Sequence, residues 1–232
     1  MTTIAANLET VRKRIAAACL AAGRAPGDVR LLAVSKTFGP EAVAEAHAAG
    51  QTAFGENYIQ EAVEKMAALS HLPLEWHCIG PIQSNKTRLV AQHFAWAHTV
   101  DRLKIAQRLS EQRPPELPPL QVCIQVNVDG GPTKSGVLPA ETLALAREVA
   151  ALPRLRLRGL MCIPEPAPDF VAARAVFMQA KAVFDQIKAN GLGLDTLSMG
   201  MTADLEAAID AGSTLVRVGT AIFGGRSYAT AT

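Results

Sequence analysis

The stretch Arg30 to Lys36, RLLAVSK, joins an apolar run of the kind that makes a buried parallel strand to a lysine at its end. Strand side chains alternate, so Leu32, Val34 and Lys36 share one side while Leu31, Ala33 and Ser35 share the other. An ammonium on the buried side has two outcomes. It snorkels into water at the strand's end, or it sheds its proton and becomes the neutral amine that carbonyl chemistry requires, a candidate Schiff-base lysine. Late in the chain, STLVRVGTAIFG sets Arg217 between Val216 and Val218, with Gly219 on the same side as the arginine. A guanidinium so placed cannot discard its proton and needs an acceptor, either an internal carboxylate or a ligand. Two further segments suit an anion. SMGMTAD brings the hydroxyls of Ser198 and Thr202 and the close backbone approach of Gly200, with Met201 beside it, and GTAIFG brings Gly219 and Thr220. Each alone is an ordinary turn; together they resemble loops that hold phosphate with backbone N–H groups.

These residues need a scaffold, and the alternation of elements supplies one. Over about residues 3–22, Ile4, Leu8, Val11, Ile15, Ala18 and Ala22 form one stripe of an amphipathic helix that stops at Gly23, so the basic Arg12 to Arg14 before IAAACLAA is no signal peptide. Strand-like runs follow as RLLAVSK, TAFGEN, LEWHCIG, WAHTVD, LQVCIQVNV, LRLRGLMCI, DTLSMGM and STLVRVGTAIFG. Between them the spacing predicts helices from about Pro40 to Ala49, over YIQEAVEKMAAL with Asn57 as N-cap, over SNKTRLVAQHF and RLKIAQRLSEQ, and from about Pro139 to Leu152. A longer helix carries Phe170, Ala173, Phe177, Ala180, Phe184 and Ile187 on one face, and TADLEAAIDAG makes a short one. Eight strands, each but the last with a clear following helix, predict an α/β fold: a single (β/α)8 TIM barrel over about residues 30–225 with an extra N-terminal helix, the 232 residues forming one domain. A doubly wound open sheet would show a glycine-rich nucleotide turn after its first strand, and VSKTFGP is not one. The proline-rich EQRPPELPPL reads as a surface loop.

Composition narrows the function classes. With 49% hydrophobic and 19% charged residues and a net charge of +2, the chain has no strong field for nucleic acid or a membrane surface. No stretch approaches the roughly 18 to 20 apolar residues of a membrane span. Cys19, Cys78, Cys123 and Cys162 form no CxxC pair and read as reduced core thiols of a cytoplasmic protein. The histidines show no i, i+4 pair, so no metal site is expected.

In a barrel of this type the active site lies at the C-terminal ends of the strands. The residues closing them are Lys36, Asn57, His77, Asn127, Met161, Ser198 and Arg217. The glycine and hydroxyl segments fall after strands seven and eight, where such barrels often bind phosphate, with a helix expected to start near Thr202. Pyridoxal 5'-phosphate (PLP) carries an aldehyde for Lys36, a phosphate for the two loops and a ring nitrogen for Arg217. An arginine at that nitrogen, unlike a carboxylate, leaves the pyridine unprotonated and weakens it as an electron sink.

The motifs AVSKT, FGENYIQE, EWHCIGPIQSNK, KSG, GLMCIP, LSMGMTADLEAAI and GSTLVRVGTAIFG occur in order across nearly the whole chain. In this the sequence closely resembles the pyridoxal phosphate homeostasis protein family. The resemblance implies a barrel related to the N-terminal domain of alanine racemase, with PLP bound covalently to Lys36 as an internal aldimine. It further implies Asn57 near the cofactor, Arg217 toward the pyridine nitrogen, and Ser198, Thr202, Gly219 and Thr220 around the phosphate; Gly200 and Met201 complete the expected cofactor-binding set. Lys134, in KSG, matches a position suggested to take part in secondary cofactor binding or transfer, although a lysine in a glycine-rich loop is also an ordinary solvated residue. Cys78 stands where the family usually has Phe, Cys162 occupies a variable small position, and Thr202 replaces a frequent Ser while keeping the hydroxyl.

The family is regarded as non-catalytic, maintaining the supply of the cofactor and vitamin B6 balance as carrier or regulator, with PLP-dependent apo-enzymes as recipients. The alternative is a PLP-dependent racemase-like enzyme. Two-base racemisation needs an acid/base group opposite the lysine, which the racemase takes as a tyrosine from a second, β-rich domain. This chain ends at Thr232, and its tyrosines are Tyr58, at a helix start, and Tyr228, in the tail. The expectation is a cytoplasmic, monomeric binding protein without turnover.

Overall fold

A computed structural model of the chain describes residues 3–131 and 135–225, so Lys134 and Tyr228 lie outside the described residues. The strands are β1 (Arg30–Val34), β2 (Ala53–Glu56), β3 (Glu75–Cys78), β4 (Trp96–Val100), β5 (Leu120–Gln125), β6 (Leu155–Met161), β7 (Thr196–Ser198) and β8 (Leu215–Val218). They pair in chain order into a closed barrel. Parallel pairing of β1 with β8, Leu32 opposite Arg217, closes it. The helices that return the chain are α2 (Pro40–Ala48), α3 (Ile59–Ala68), α4 (Thr87–His93), α5 (Leu103–Gln112), α6 (Pro139–Ala150), α7 (Phe170–Ala189) and α8 (Leu205–Asp210), and α1 (Ile4–Ala21) precedes the barrel. This is the (β/α)8 architecture that the alternation predicts.

Local chemistry accounts for the element ends. Thr3 caps α1 by accepting from Ala6 N at 3.2 Å, Leu8, Val11, Ile15, Ala18 and Cys19 form its buried stripe, and Gly23 takes the left-handed conformation that ends it. Several boundaries differ from the sequence expectation. β1 stops at Val34, so Ser35 and Lys36 stand just beyond the strand. Asn57 does not cap α3; the N-cap position is Tyr58, and no side chain caps it. The helix expected near Thr202 begins at Leu205, because residues 201–204 form a turn in which Met201 N donates to Asp204 Oδ1 at 2.6 Å. The last strand ends at Val218, and Thr220–Phe223 form a further short helix, α9, where none was expected.

Alternation along the strands divides the interior into two compartments. The outer one, between strands and helices, takes Ala33, Phe54, Val122 and Val216 with the α7 side chains Phe177, Phe184 and Ile187. Inside the barrel lie two apolar clusters, Leu32, Val34, Ala53, Ile79 and Leu215 in one and Trp96, Cys123 and Met161 in the other. The buried polar side chains of His77, His98, Ser198 and Arg217 are set on β3, β4, β7 and β8. All four cysteines are buried, and burial pushes the thiols of Cys78, Cys123 and Cys162 up to about 12, so they are unreactive. Among the described residues no helix is long and apolar enough to cross a membrane, and no cluster of metal-ligating side chains occurs.

Phe170 departs from its expected place on the α7 stripe. It is the first residue of the helix, ahead of the turn that reaches the barrel, and is 50% exposed whereas Phe177 is 1% exposed. Phe177→Ala should therefore cost about 3–5 kcal/mol and lower Tm by roughly 10 °C. Phe170→Ala should stay within about 0.5 kcal/mol. Thermal melts of the two variants check the assignment, and equal losses would contradict it.

Candidate functional site

At the C-terminal end of the barrel a cavity of about 320 Å³ opens between the loops after β1, β2, β3, β6, β7 and β8. That volume lies in the range of small-molecule sites. Lys36, Asn57, Thr202, Arg217, Gly219 and Thr220 supply its polar lining, and Val34, Ile79, Ile163 and Met201 much of its apolar wall. Lys36 thus continues the inward side set by Leu32 and Val34, half-buried at the mouth. The turn that carries it is strained and braced. Thr37 adopts φ 69, a left-handed conformation costly for a branched residue, and its N–H donates to Glu61 Oε1 at 3.1 Å.

Behind this turn sits a buried ion pair that sequence reasoning did not single out. Lys65 Nζ donates to Ser35 O at 3.0 Å and to Glu56 Oε1 at 2.6 Å, and Ser35 Oγ also donates to Glu56 Oε1 at 2.6 Å. Burial raises the Glu56 carboxyl above its ordinary range, opposed by the neighbouring Lys65 ammonium. The available signal was the i, i+4 spacing of Glu61 and Lys65 in the helix after FGEN, which α3 turns toward the strand ends. Lys65→Met leaves Glu56 buried and unpaired, so we expect a loss of about 3–5 kcal/mol in urea unfolding, substantially recovered by adding Glu56→Gln. No recovery in the double variant would refute the pairing argument.

Asn57, just beyond β2, and Arg217, on β8, line the cavity from the two strands that flank β1. The backbone of Asn57 is clamped by the end of β3, where a Cβ on Gly80 would stand 2.2 Å from Asn57 O, so only glycine allows this approach. Asn57 Oδ1 is buried and has no hydrogen-bond partner among the described residues. Arg217, 4% exposed, gives Nη1 to Ser198 O at 2.8 Å and Ser198 Oγ at 2.7 Å, and Nη2 to Cys162 O at 3.0 Å. No carboxylate contacts it among the described residues, which removes the internal ion pair as its acceptor.

The other expected site residues are placed differently. Ser198 is not in the cavity lining; its hydroxyl lies below, between Arg217 and His98. Gly200 is also outside the lining. With φ 97 it packs where a Cβ would meet Ala208 Cβ at 2.5 Å, and its carbonyl accepts from Arg217 N at 2.9 Å, so it sets backbone geometry. His77 is not at the mouth but one inward step deeper than Ile79, which lines the cavity in its place; a strand advances about 6.6 Å per such step. His77 is fully buried against His98, Glu75 and Trp96. Asn127 turns its amide to Gly131 O at 3.1 Å, and Met161 packs inside the barrel with Trp96 and Cys123.

Residues 2–227 match the family described as alanine racemase, N-terminal domain. The pyridoxal phosphate homeostasis protein of Pseudomonas aeruginosa is 60% identical over 228 residues, covering 98% of each chain. That of Escherichia coli is 55% identical over 231 residues, covering 98% of this chain and 99% of the relative. The chain belongs to the pyridoxal phosphate homeostasis protein family. A solved structure of PipY from Synechococcus elongatus PCC7942 with PLP bound matches it at 37% identity and a TM-score of 0.85, covering 96% of this chain and 100% of that one.

In this member of the pyridoxal phosphate homeostasis protein family the helix outside the barrel braces the cavity loops. From α1, Arg14 Nη2 donates to Thr202 O at 2.8 Å while its Nε meets Glu206 of α8 at 2.5 Å, and Asn7 Nδ2 donates to Ile222 O of α9 at 2.8 Å. Phe38 stacks on Phe223 at 5.1 Å, joining the loops after β1 and β8 across the mouth. Arg14→Ala loses one carbonyl bond and a partly exposed ion pair, so we expect about 1 kcal/mol and a Tm lower by roughly 2–4 °C. Thr202 should be loosened selectively, read as faster amide exchange in residues 200–204 than in the β1 turn. Uniform exchange would deny α1 this role.

Proposed function

We propose that this protein binds PLP, takes its aldehyde covalently on Lys36 Nζ, and serves intracellular PLP and vitamin B6 homeostasis without catalytic turnover. The observation that carries the reading is that one cavity joins Lys36, the Arg217 guanidinium, the unpartnered Asn57 Oδ1 and the loop residues Thr202, Gly219 and Thr220. Each polar feature of the cofactor has a counterpart. Thr202 Oγ1, Thr220 Oγ1 and the N–H groups of Thr220 and Ala221 suit phosphate, while the next two amides, of Ile222 and Phe223, already donate to Gly219 O. Gly219 brings that turn close to β1, where a Cβ would stand 3.1 Å from Val34 O. Met201 and Ile79 offer apolar surface to a ring. Ser198 and Gly200 act in this reading one layer back, holding Arg217 and its backbone.

Bound pyridoxal phosphate supplies a reactive aldehyde and an electron-accepting ring. This chain's residues restrict the second property. Arg217 keeps its proton and offers only donors, so a pyridine nitrogen facing it stays an acceptor. Among the described residues lining the cavity, Lys36 is the only ionisable side chain besides Arg217, so no second acid/base group stands opposite it. The family's alanine racemase description favours the second reading, a racemase-like enzyme, and that lining argues against it. Delivery to PLP-dependent apo-enzymes, a monomeric state and a cytoplasmic location belong to the same proposal, with the chain acting as one cofactor-binding unit.

Purified protein mixed with PLP should gain a visible absorbance band. Borohydride should then fix the cofactor's mass on the peptide containing Lys36, and Lys36→Ala should show neither. Labelling elsewhere, or no uptake by the wild type, overturns the proposal. L- and D-amino acids incubated with the loaded protein should keep their chirality, and rapid Lys36-dependent racemisation would instead establish the enzyme.

A further inference from the structure

Arg217 is connected to the far end of the barrel by an unbroken series of hydrogen bonds. Its Nη1 reaches Ser198 Oγ at 2.7 Å, Ser198 Oγ reaches His98 Nδ1 at 3.0 Å, and His98 Nε2 reaches His77 Nδ1 at 2.8 Å. His77 Nε2 then meets Glu75 Oε1 at 2.8 Å, and Arg30 Nη2 pairs with the same oxygen at 2.7 Å. Glu75 and Arg30 begin β3 and β1, at the face opposite the cavity, and are the only partly exposed members of the series.

The direction of every bond follows from the carboxylate. The Glu75 carboxyl is held down at about 2 by His77 and Arg30, so it is ionised and can only accept. His77 therefore carries its proton on Nε2. Burial holds His77 and His98 neutral, lowering both from their ordinary range, and a neutral imidazole has one donor and one acceptor. His77 Nδ1 must then accept from His98 Nε2–H, which leaves His98 Nδ1 as an acceptor for the Ser198 hydroxyl hydrogen. With that hydrogen committed, Ser198 Oγ presents its lone pairs to Arg217. The ring planes cannot readily turn to undo this order, since His77 stacks on Trp96 at 5.1 Å and 8°. Two histidines that merely filled the core would need no common direction.

We propose that Glu75, His77 and His98 are positioning residues for Arg217, acting through Ser198 to hold the guanidinium as a fixed donor toward the pyridine nitrogen of a bound cofactor. This rests on the cofactor reading above. Successive bonds polarised in one sense strengthen each other, so the ionised Glu75 supports a buried cation that no carboxylate touches. Arg217 spends three of its five N–H groups on Ser198 and Cys162. Its remaining donors are available to the cavity it lines.

Two-bond proton–nitrogen spectra of histidine-labelled apo-protein test the order directly, without any cofactor. His77 and His98 should each be neutral with the proton on Nε2. Glu75→Leu should populate the opposite tautomer at both rings, while Glu75→Gln, which keeps an acceptor, should preserve the wild-type order. In protein loaded with pyridine-15N PLP, the ring nitrogen signal should move in Glu75→Leu but not in Glu75→Gln, with affinity about three- to tenfold weaker in the former. Ser198→Ala, which cuts the series between His98 and Arg217 while keeping both histidine side chains, should move the signal in the same way. An Nδ1 proton on either wild-type ring overturns the inference, as does a tautomer shift or a Ser198→Ala change that leaves the pyridine signal unmoved. A wild type that takes up no PLP removes the reading beneath it instead, a failure distinct from both.

Discussion

Arg217 is 4% exposed, and although burial lowers its guanidinium from the ordinary value, an arginine does not escape burial by losing its proton. A buried cation costs several kcal/mol unless its N–H groups are satisfied. The barrel meets that demand with neutral oxygens, Ser198 O and Oγ and Cys162 O, and with no contacting carboxylate among the described residues. Much of the interior is arranged around this. The β8 register that closes the barrel sets Arg217 beside Leu32, two inward steps below the level of Lys36. Gly200 forms the tight turn that accepts from the arginine's own backbone N–H. The histidine pair occupies the interior where a larger apolar cluster would otherwise pack. A guanidinium with two of its five N–H groups left over, lining a cavity, adds to the polarity that Lys36, Asn57, Thr202 and Thr220 also give it.

Lys36 depends on a different device. Its position comes from a turn outside the regular ladder, and such a turn needs support from beyond the strand. Glu61 holds the strained Thr37 N–H, and Lys65 bonds the Ser35 carbonyl while pairing with buried Glu56. The support comes from α3, which follows β2, so the second unit of the barrel fixes Lys36 of the first. The loops after β7 and β8 are braced in the same indirect way by α1, which precedes the barrel. The two ends of the cavity are thus held from outside the barrel, and the middle from within.

Much of this was legible in the chain. The spacing of apolar residues is a local property, and it carried the alternation of strands and helices, the closed barrel and the inward phase of Leu32, Val34 and Lys36. The order of motifs carried the family. Legibility failed where neighbours in space decide. His77 was expected at the mouth because strand ends were read from apolar runs, and an error of one inward step moves a side chain down a whole layer. Ser198 looked like a phosphate hydroxyl, but a serine's partner depends on which strand faces it across the barrel, and that strand is β4, a hundred residues away.

By itself the sequence determined the eight strands, the helices between them and the candidate residues near the strand ends, because periodicity and turn chemistry act over a few residues. Only the tertiary structure decided which of those residues share a cavity and which stand behind them. Barrel closure brings β8 against β1 and helix packing brings α1 and α3 onto the loops. The pairings Lys65 with Ser35, Arg14 with Thr202 and Ser198 with His98 therefore exist only once distant segments meet.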